Sequence, residues 1–537
     1  MYAHVVLSKV SPGTDKEYTY KIPQALELKA AVGLQVLIPF GRARAVGYVT
    51  KLLNEAPQEI KYLKEILEFR SESPIFSSRS VDTARWLSDY YCCLFGTALR
   101  LMLPPGVEAC EKISGKRRIS IESPKSQVPS SKLKAGEEVN KPILLFNMGL
   151  AKRVAYFIEE AQKILSENKD VILLLPEIGR DNKIIEAFKD KFGPLVAEIH
   201  SNMNEKERFE EWARIHLGKA KIAIGTRSAV FAPVNAPGLI VIDEESEFTY
   251  KSEQTPKYHV REVAIFFAKE FGSKVILSSS NPSIESFYGA KTGDYLLKEE
   301  TAGKKERNTE ISIVDVKEES SRQLSLQLKE EIGKALAAKE PIMLVQNRRG
   351  YAPFLACNSC GNSLECPNCS LSLAYHSPDS SIRCHRCGFI SLQKIACPKC
   401  FSYSINYFGA GTQKIESEIG KLFQGIKTIR IDKDNITSKK SANIALEAFV
   451  EDEAQILIGT QMVLKALPKK KFGLVAVISA DASLNCPDFR AAESTFDFLF
   501  QITGRSADFI PPRKVIIQTL NPSHYAITCA AEGDYKK

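Results

Sequence analysis

The period of the apolar positions changes along the chain, and the changes divide it. Over residues 1–55 short runs alternate or cluster β-forming residues, as in YAHVVLSKV, EYTYKIP, GLQVLIPFG and RAVGYVTKL, with Gly, Pro and Asp between them. This predicts a small β-barrel. From Ser80 the spacing becomes helical through VDTARWLSDYYCCLFGTALRLML and stops at Pro104-Pro105-Gly106. Residues 107–141 are rich in Lys, Ser and Pro, have weak periodicity, and read as a linker. From Pro142 to about Glu300 the apolar strands PILLF, DVILLLPE, KIAIGT, GLIVIDEE and KVILSSS alternate with amphipathic helices, which predicts a doubly wound parallel sheet. Residues 301–322 are highly charged, as a connection would be. A second βα series opens with PIMLVQNRRG and resumes with INYFGAGT, KTIRID, AQILIGT, GLVAVISAD and RKVIIQTL. The expected layout is α/β: a barrel at 1–105, a linker at 106–141, one lobe at 142–300, a second at 301–355 and 403–537, and a module at 356–402 inserted in the second.

The inserted module carries the most specific chemistry. It holds four Cys-x-x-Cys pairs: Cys357/Cys360, Cys366/Cys369, Cys384/Cys387 and Cys397/Cys400. Each pair offers two thiolates to one metal from a tight turn, and two pairs close a tetrahedral site. Eight thiolates make two structural zinc sites with no position left for water. The pairs can combine in three ways. The 14 residues between the middle pairs (370–383) form a zinc-ribbon-like loop. That favours a nested scheme, with Cys366, Cys369, Cys384 and Cys387 on one zinc and Cys357, Cys360, Cys397 and Cys400 on the other. Disulfides and an iron–sulfur cluster are the competing readings of such a run.

Composition narrows the class without deciding it. The 537 residues hold 73 Lys and Arg against 64 Asp and Glu, a net charge of +9. That is compatible with a polyanionic partner. The five cysteines outside the module (Cys92, Cys93, Cys110, Cys486, Cys529) show no disulfide pattern, which suggests a reducing cytosol. The amino terminus lacks the pattern of a signal peptide, and no apolar run is long enough to span a membrane.

Two parallel-sheet lobes in tandem, with Asp243-Glu244 after a strand of the first, are the layout of a RecA-like helicase motor. The segments IGTRSAVFAP (224–233), VIDEES (241–246), YKSEQTPKYHVREVA (250–264), QNRRGYAPFLAC (346–357), GTQM (459–462) and DASLNCPDFRAAESTFDFLFQITGR (481–505) resemble the primosomal protein N′ family, the PriA replication-restart helicases. EYTYKIP and VLIPFGR resemble that family's barrel, which binds the 3′ end of a nascent strand. The resemblance implies binding of stalled forks, ATP-driven 3′→5′ unwinding, and loading of the replicative helicase. It implies DNA, primosome proteins, a helicase loader and single-stranded-DNA-binding protein as partners of a monomer in the bacterial cytoplasm, associated with the nucleoid. It also implies a winged-helix domain before the first lobe and a further domain after the second; residues 107–141 are too few for the former, and the chain stops at Lys537.

The departures from the family pattern fall on the ATP chemistry. A phosphate loop needs glycines, a Lys for the β and γ phosphates, and a Ser or Thr for Mg²⁺. The matching segment is Phe146-Asn147-Met148-Gly149-Leu150-Ala151-Lys152-Arg153, which keeps only Gly149 and Lys152 and puts Arg153 at the hydroxyl position. Asp243 and Glu244 keep the Mg²⁺-holding pattern, but the family's following histidine is Ser246. The Gly-Ser-Ala-Thr-Pro motif reads Ser278-Ser279-Ser280-Asn281-Pro282, and Gly-His-Asp-Phe-Pro reads Ala466-Leu467-Pro468-Lys469-Lys470. The last motif keeps Gln501, Gly504 and Arg505, but the arginine finger is Asp508. ATP and Mg²⁺ are therefore doubtful cofactors.

The expected DNA contacts are better kept. Tyr18, Tyr20, Phe40 and Arg42 match the barrel's pocket, with Thr19 where the family has an acid. Tyr250, Lys251, Tyr258, His259 and Arg261 supply the aromatics and cations that single-strand binding needs. Two readings follow: a restart DNA-binding protein with little or no ATPase, or an active 3′→5′ helicase that uses Asp243, Glu244 and Arg505.

Overall fold

The structure is a computed structural model. It describes residues 1–56, 62–106, 140–177, 183–300, 309–317, 319, 323–346, 354–357, 359–360, 362–376, 381–384, 386–392, 396–408, 412–432, 439–451, 454–460, 471–486, 488–504 and 510–537. The chain divides into two compact units, Met1–Thr301 and Ala302–Lys537.

The first unit opens with an antiparallel sheet. Its order is Tyr18–Lys21, Tyr2–Leu7, Ala43–Leu53, Gln35–Phe40, Glu68–Phe69. The two ends of this sheet meet: Lys21 N–H donates to Lys64 O at 2.9 Å, and Ile66 N–H to Lys21 O at 3.0 Å. A single bridge at Lys21 thus closes the sheet into a small barrel. Inside lie Ala3, Val5, Val36, Ile38 and Val49, the inward half of each alternating strand.

The helical stretch predicted from Ser80 as one run is two helices, Ser78–Tyr90 and Phe95–Leu99. The break has a local cause. The Asp15 carboxylate accepts from Phe95 N–H at 2.8 Å and Gly96 N–H at 3.0 Å, which caps a new helix start.

The lobe that follows is an all-parallel sheet of seven strands in the order Leu296–Glu299, Ile143–Phe146, Lys274–Ser279, Pro237–Ile242, Asp170–Leu174, Ile222–Gly225, Val196–Ile199. Its central strands are buried on both faces, which is why they read as continuous apolar runs. Barrel and lobe share one core. Val6 and Tyr48 of the barrel, Ile75, Leu87 and Leu99, and Ile172, Ile240 and Tyr258 of the lobe form a single buried cluster. Trp86 stacks on Phe266 with centroids 4.4 Å apart. The Arg79 guanidinium donates to Asn235 O at 2.7 Å and to Val234 O.

The described residues of the second unit form two sheets. One is parallel, in the order Glu310–Asp315, Lys514–Thr519, Leu474–Val477, Ile342–Val345, Ile456–Gly459, Thr428–Ile431. Its edge strand, Glu310–Asp315, comes from the stretch expected to be a plain connection. The other sheet is antiparallel and belongs to the cysteine module: Ile390–Ser391, Ser381–Arg383, Ala374–His376, Phe354–Cys357, Ile405–Phe408. The INYF run, expected to resume the parallel lobe, instead pairs with Phe354–Cys357. A four-residue apolar strand carries no mark of which sheet it joins. No helix among the described residues is long and apolar enough to cross a membrane.

Candidate metal centre and degenerate nucleotide site

The cysteine pairs combine in the nested way. Cys357, Cys360, Cys397 and Cys400 form one cluster and Cys366, Cys369, Cys384 and Cys387 the other, with all Sγ atoms of a cluster within 4.8 Å of one another. Across pairs, Cys357–Cys400, Cys360–Cys397 and Cys366–Cys387 stand 3.5 Å apart and Cys369–Cys384 3.4 Å. A tetrahedral zinc with Zn–S of about 2.3 Å needs sulfurs about 3.8 Å apart, so the donors fit closed zinc sites.

The turns that present them are alike. In three of them the fourth residue after the first Cys closes the turn: Ser370 N–H donates to Cys366 O at 2.8 Å, Gly388 N–H to Cys384 O at 3.1 Å, and Phe401 N–H to Cys397 O at 2.9 Å. Each of these closing residues has positive φ: 56° at Ser370, 76° at Gly388 and 58° at Phe401. Ser359 N–H points at the Cys357 sulfur at 3.3 Å, which favours a thiolate there, and Asn368 N–H points at the Cys366 sulfur at 3.4 Å.

In the first lobe the phosphate-loop segment follows strand Ile143–Phe146. Asn147, with φ 57°, makes the tight turn where a glycine would serve. Gly149 is the N-cap of helix Leu150–Ser166. Its N–H donates to a Glu300 carboxylate oxygen at 3.4 Å, and Lys152 Nζ bonds the other oxygen of the same carboxylate. The Lys152 ammonium, first, and the Gly149 N–H hold the Glu300 carboxyl below the usual range. A side-chain anion therefore sits at a helix N-terminus, on the Gly and Lys that the sequence marks for phosphate.

Arg153 is 2% exposed and Asp243 4%. Arg153 Nε lies 2.9 Å from Asp243 Oδ1, and its Nη1 lies 3.1 Å from Glu244 Oε1. Its guanidinium also donates to Met148 O at 3.3 Å. Ser278 Oγ donates to Asp243 Oδ1 at 2.6 Å and Ser279 Oγ to Glu244 Oε2 at 3.3 Å. The serines of the altered Ser278-Ser279-Ser280-Asn281-Pro282 motif thus complete a polar network around the acids. Mg²⁺ needs octahedral oxygen ligands at about 2.0–2.1 Å. The guanidinium occupies the space between the two carboxylates and already carries the compensating charge. These residues do not fit Mg²⁺.

The expected DNA residues separate into two groups. Tyr18 and Phe40 are half-buried and meet edge to face, centroids 5.1 Å apart, with Lys16 Nζ 5.4 Å from the Tyr18 ring. Arg42 is exposed just past Gly41, whose φ is 60°. Thr19 Oγ1 lies 3.1 Å from His4 Nδ1. Tyr20 is instead barrel core, its hydroxyl donating to Pro39 O at 3.1 Å.

The loop after the acidic motif is the main correction. Tyr250 is fully buried and its hydroxyl bonds Asp243 O at 2.7 Å and Leu174 O at 3.0 Å. Tyr258 is buried against Phe231, and burial pushes its phenol up to about 12. Neither ring is presented to a base. Arg261 is buried too, 3.1 Å from Glu245 Oε2 and 2.5 Å from Ser283 Oγ. His259 is half-buried and its Nδ1 accepts from Arg261 N–H at 3.2 Å. Lys251 is exposed, 5.1 Å from the Tyr91 ring, with its Nζ on Lys257 O. Sequence reasoning missed Glu245 and Glu300, the ion-pair partners of Arg261 and Lys152. Arg505 and Asp508 lie outside the described residues.

Comparison with known proteins decides the family. Residues 5–104 match the 3'DNA-binding domain (3'BD) of PriA, and residues 366–390 the PriA DNA helicase Cys-rich region (CRR) domain. The replication restart protein PriA of Treponema pallidum is 31% identical over 544 residues, covering 97% of this chain and 80% of that protein. The chain belongs to the PriA family. The Bacillus subtilis PriA is 38% identical over 402 residues, 74% of this chain and 50% of that protein, so the chain spans about half the length of that relative. The PriA of Haemophilus influenzae is 28% identical over 604 residues, covering 97% of this chain and 82% of that protein. This chain combines two complete four-thiolate clusters with an acidic pair already bound to its own arginine.

Proposed function

We propose that this chain is a DNA-binding member of the replication-restart machinery whose first lobe no longer hydrolyses ATP. The observation that carries the reading is the buried contact of Arg153 with both Asp243 and Glu244. Phosphoryl transfer depends on positioned Mg²⁺ and on positive charge around the γ-phosphate. Here the acids that would hold the metal are committed to a fixed cation, and Glu300 engages Gly149 and Lys152. Asp508 in place of the arginine finger works in the same direction.

The barrel is the proposed DNA-binding element, through Tyr18, Phe40 and Arg42, with Lys251 a further exposed cation in the same unit. Forked, branched or single-stranded DNA is the substrate class. The zinc module and second lobe serve as the surface offered to primosome proteins and a helicase loader. Binding should weaken steeply with salt, because cations on phosphates release condensed counterions.

The test is ATP turnover by the purified, zinc-loaded full chain with and without forked DNA. Turnover near background in both supports the reading. Robust DNA-dependent hydrolysis that Glu244→Gln abolishes would overturn it and establish an active helicase. Substituting Asp508→Arg alone should leave turnover at background, since Arg153 stays between the acids.

A further inference from the structure

The turns of the cysteine module share one backbone requirement, and one of them meets it in an unexpected way. The residue after the second Cys adopts positive φ in each described case. Glycine enters that region freely, and short polar residues tolerate it, whereas a bulky side chain is strained there. The sequence supplies Gly361, Ser370 and Gly388 at three of the four turns. At the fourth it supplies Phe401, with φ 58°. Nothing in the packing rewards that choice, because the Phe401 side chain is 76% exposed. A phenyl ring is thus held in solvent at a position where its own backbone favours glycine.

The surroundings specify what such a ring suits. Tyr403, two residues on, is 70% exposed. Lys399 stands exposed between the two cysteines of the same turn. The stretch 396–405 contains no Asp or Glu. The turn is anchored by a four-thiolate cluster, and Ser359 Oγ bonds Ser402 Oγ at 3.0 Å across its two limbs. Two rings and a cation on a rigid turn, free of carboxylates, match the needs of a single nucleic-acid strand: faces for bases and positive charge for phosphate.

We propose that the Cys397–Tyr403 turn is a second contact for single-stranded DNA, remote in sequence from the barrel, with Phe401 stacking on a base and Lys399 meeting a phosphate. It rests on the reading of the chain as a DNA-binding protein. Backbone strain at functional positions is a recognised pattern, and here it separates function from folding in a single substitution. Phe401→Gly relieves the strain, so the zinc-loaded chain should melt at the same temperature or higher. If the ring only packs or only shapes the turn, DNA binding should not fall.

The experiment titrates a labelled oligo-thymidylate with the full zinc-loaded chain, its F401G and Y403S variants, and F401W. F401G should bind about fivefold more weakly or worse, as expected for one lost base–aromatic stack, while its melting temperature holds or rises. F401W should retain affinity, and its added indole fluorescence, read against that of the parent, should be quenched by the oligonucleotide. Unchanged affinity in F401G, or an unquenched F401W, overturns the proposal and leaves a protein-docking turn as the alternative. A parent that binds no oligonucleotide at all sinks the DNA-binding reading along with it.

Discussion

The cysteine module and the acidic pair of the first lobe face the same electrostatic problem and solve it differently. Each gathers groups that are anions when functional. In the module, eight sulfurs converge in two clusters with no side-chain cation among the ligands. Clustered thiolates then require a metal, and metal binding is also folding energy. In the lobe, Asp243 and Glu244 both meet Arg153, at 2.9 and 3.1 Å. An acid pair with a built-in guanidinium already has its compensating charge. The difference lies in where the positive charge comes from. An outside charge can be gained and lost, and an inside one is permanent. Asp481, in the second unit, shows a third solution. It is fully buried, bonded by Thr519 Oγ1 at 3.0 Å and Leu520 N–H at 2.9 Å, and burial pushes its carboxyl up to about 6. Below about pH 6 a proton serves where neither metal nor arginine does.

The comparison can be broken most decisively at the module. Metal analysis should return two zinc ions per chain, one for each cluster. Chelation should unfold the module while the barrel and first lobe keep their secondary structure, and Cys366→Ser should remove one of the two ions. A single zinc, or iron, would end the argument. Next in size is Arg153→Ala, which strands two acids; it should cost about 3–5 kcal/mol in denaturant unfolding of the first unit. Arg153→Ser sharpens the point. It should acquire a Mg²⁺-dependent rise in melting temperature that the parent lacks, because an outside cation can then take the vacated place.

The protonated acid predicts a pH effect. The Asp481 carboxyl titrates at about 6 in the folded chain against 3.8 when free. The folded state holds the extra proton, so its contribution to stability is full below 3.8 and is lost as pH rises through about 6. Asp481→Asn should flatten that part of the stability curve, and an unchanged curve would show that burial does not raise its carboxyl in the folded chain. The smallest effect belongs to Lys152→Ala. Lys152 is 71% exposed in its pair with Glu300, so the loss should be too small to resolve in denaturant unfolding.

How far the sequence foretold these arrangements depended on whether spacing or partnership decided them. The nested cysteine scheme follows from the loop between the middle pairs. The parallel strands were visible as apolar runs because both their faces are covered. Arg153 was visible as a misplaced cation, though not that it would turn inward onto Asp243 and Glu244. Tyr250, Tyr258 and Arg261 misled, since a run of aromatics and cations reads alike whether it faces a base or the core. What buried them was a set of distant partners: Leu174 O and Asp243 O for Tyr250, Phe231 for Tyr258, Glu245 and Ser283 for Arg261. Nothing local marks a phenol whose hydroxyl is satisfied inside. The split between helices Ser78–Tyr90 and Phe95–Leu99 was hidden for the same reason, because the Asp15 that caps the second lies some eighty residues upstream.

The shared core of barrel and first lobe makes them one mechanical part. Torque applied at Arg42 or Phe40 passes through Tyr48 and Val6 into Ile240 and its neighbours, with the Arg79 strut and the Trp86–Phe266 stack as cross-bracing. Among the described residues that path is packed side chains throughout. Whatever the barrel grips therefore keeps a fixed bearing on the Arg153 pocket. A cut after residue 105 would not free a domain; it would expose a wall of apolar side chains on both pieces, and each piece should aggregate.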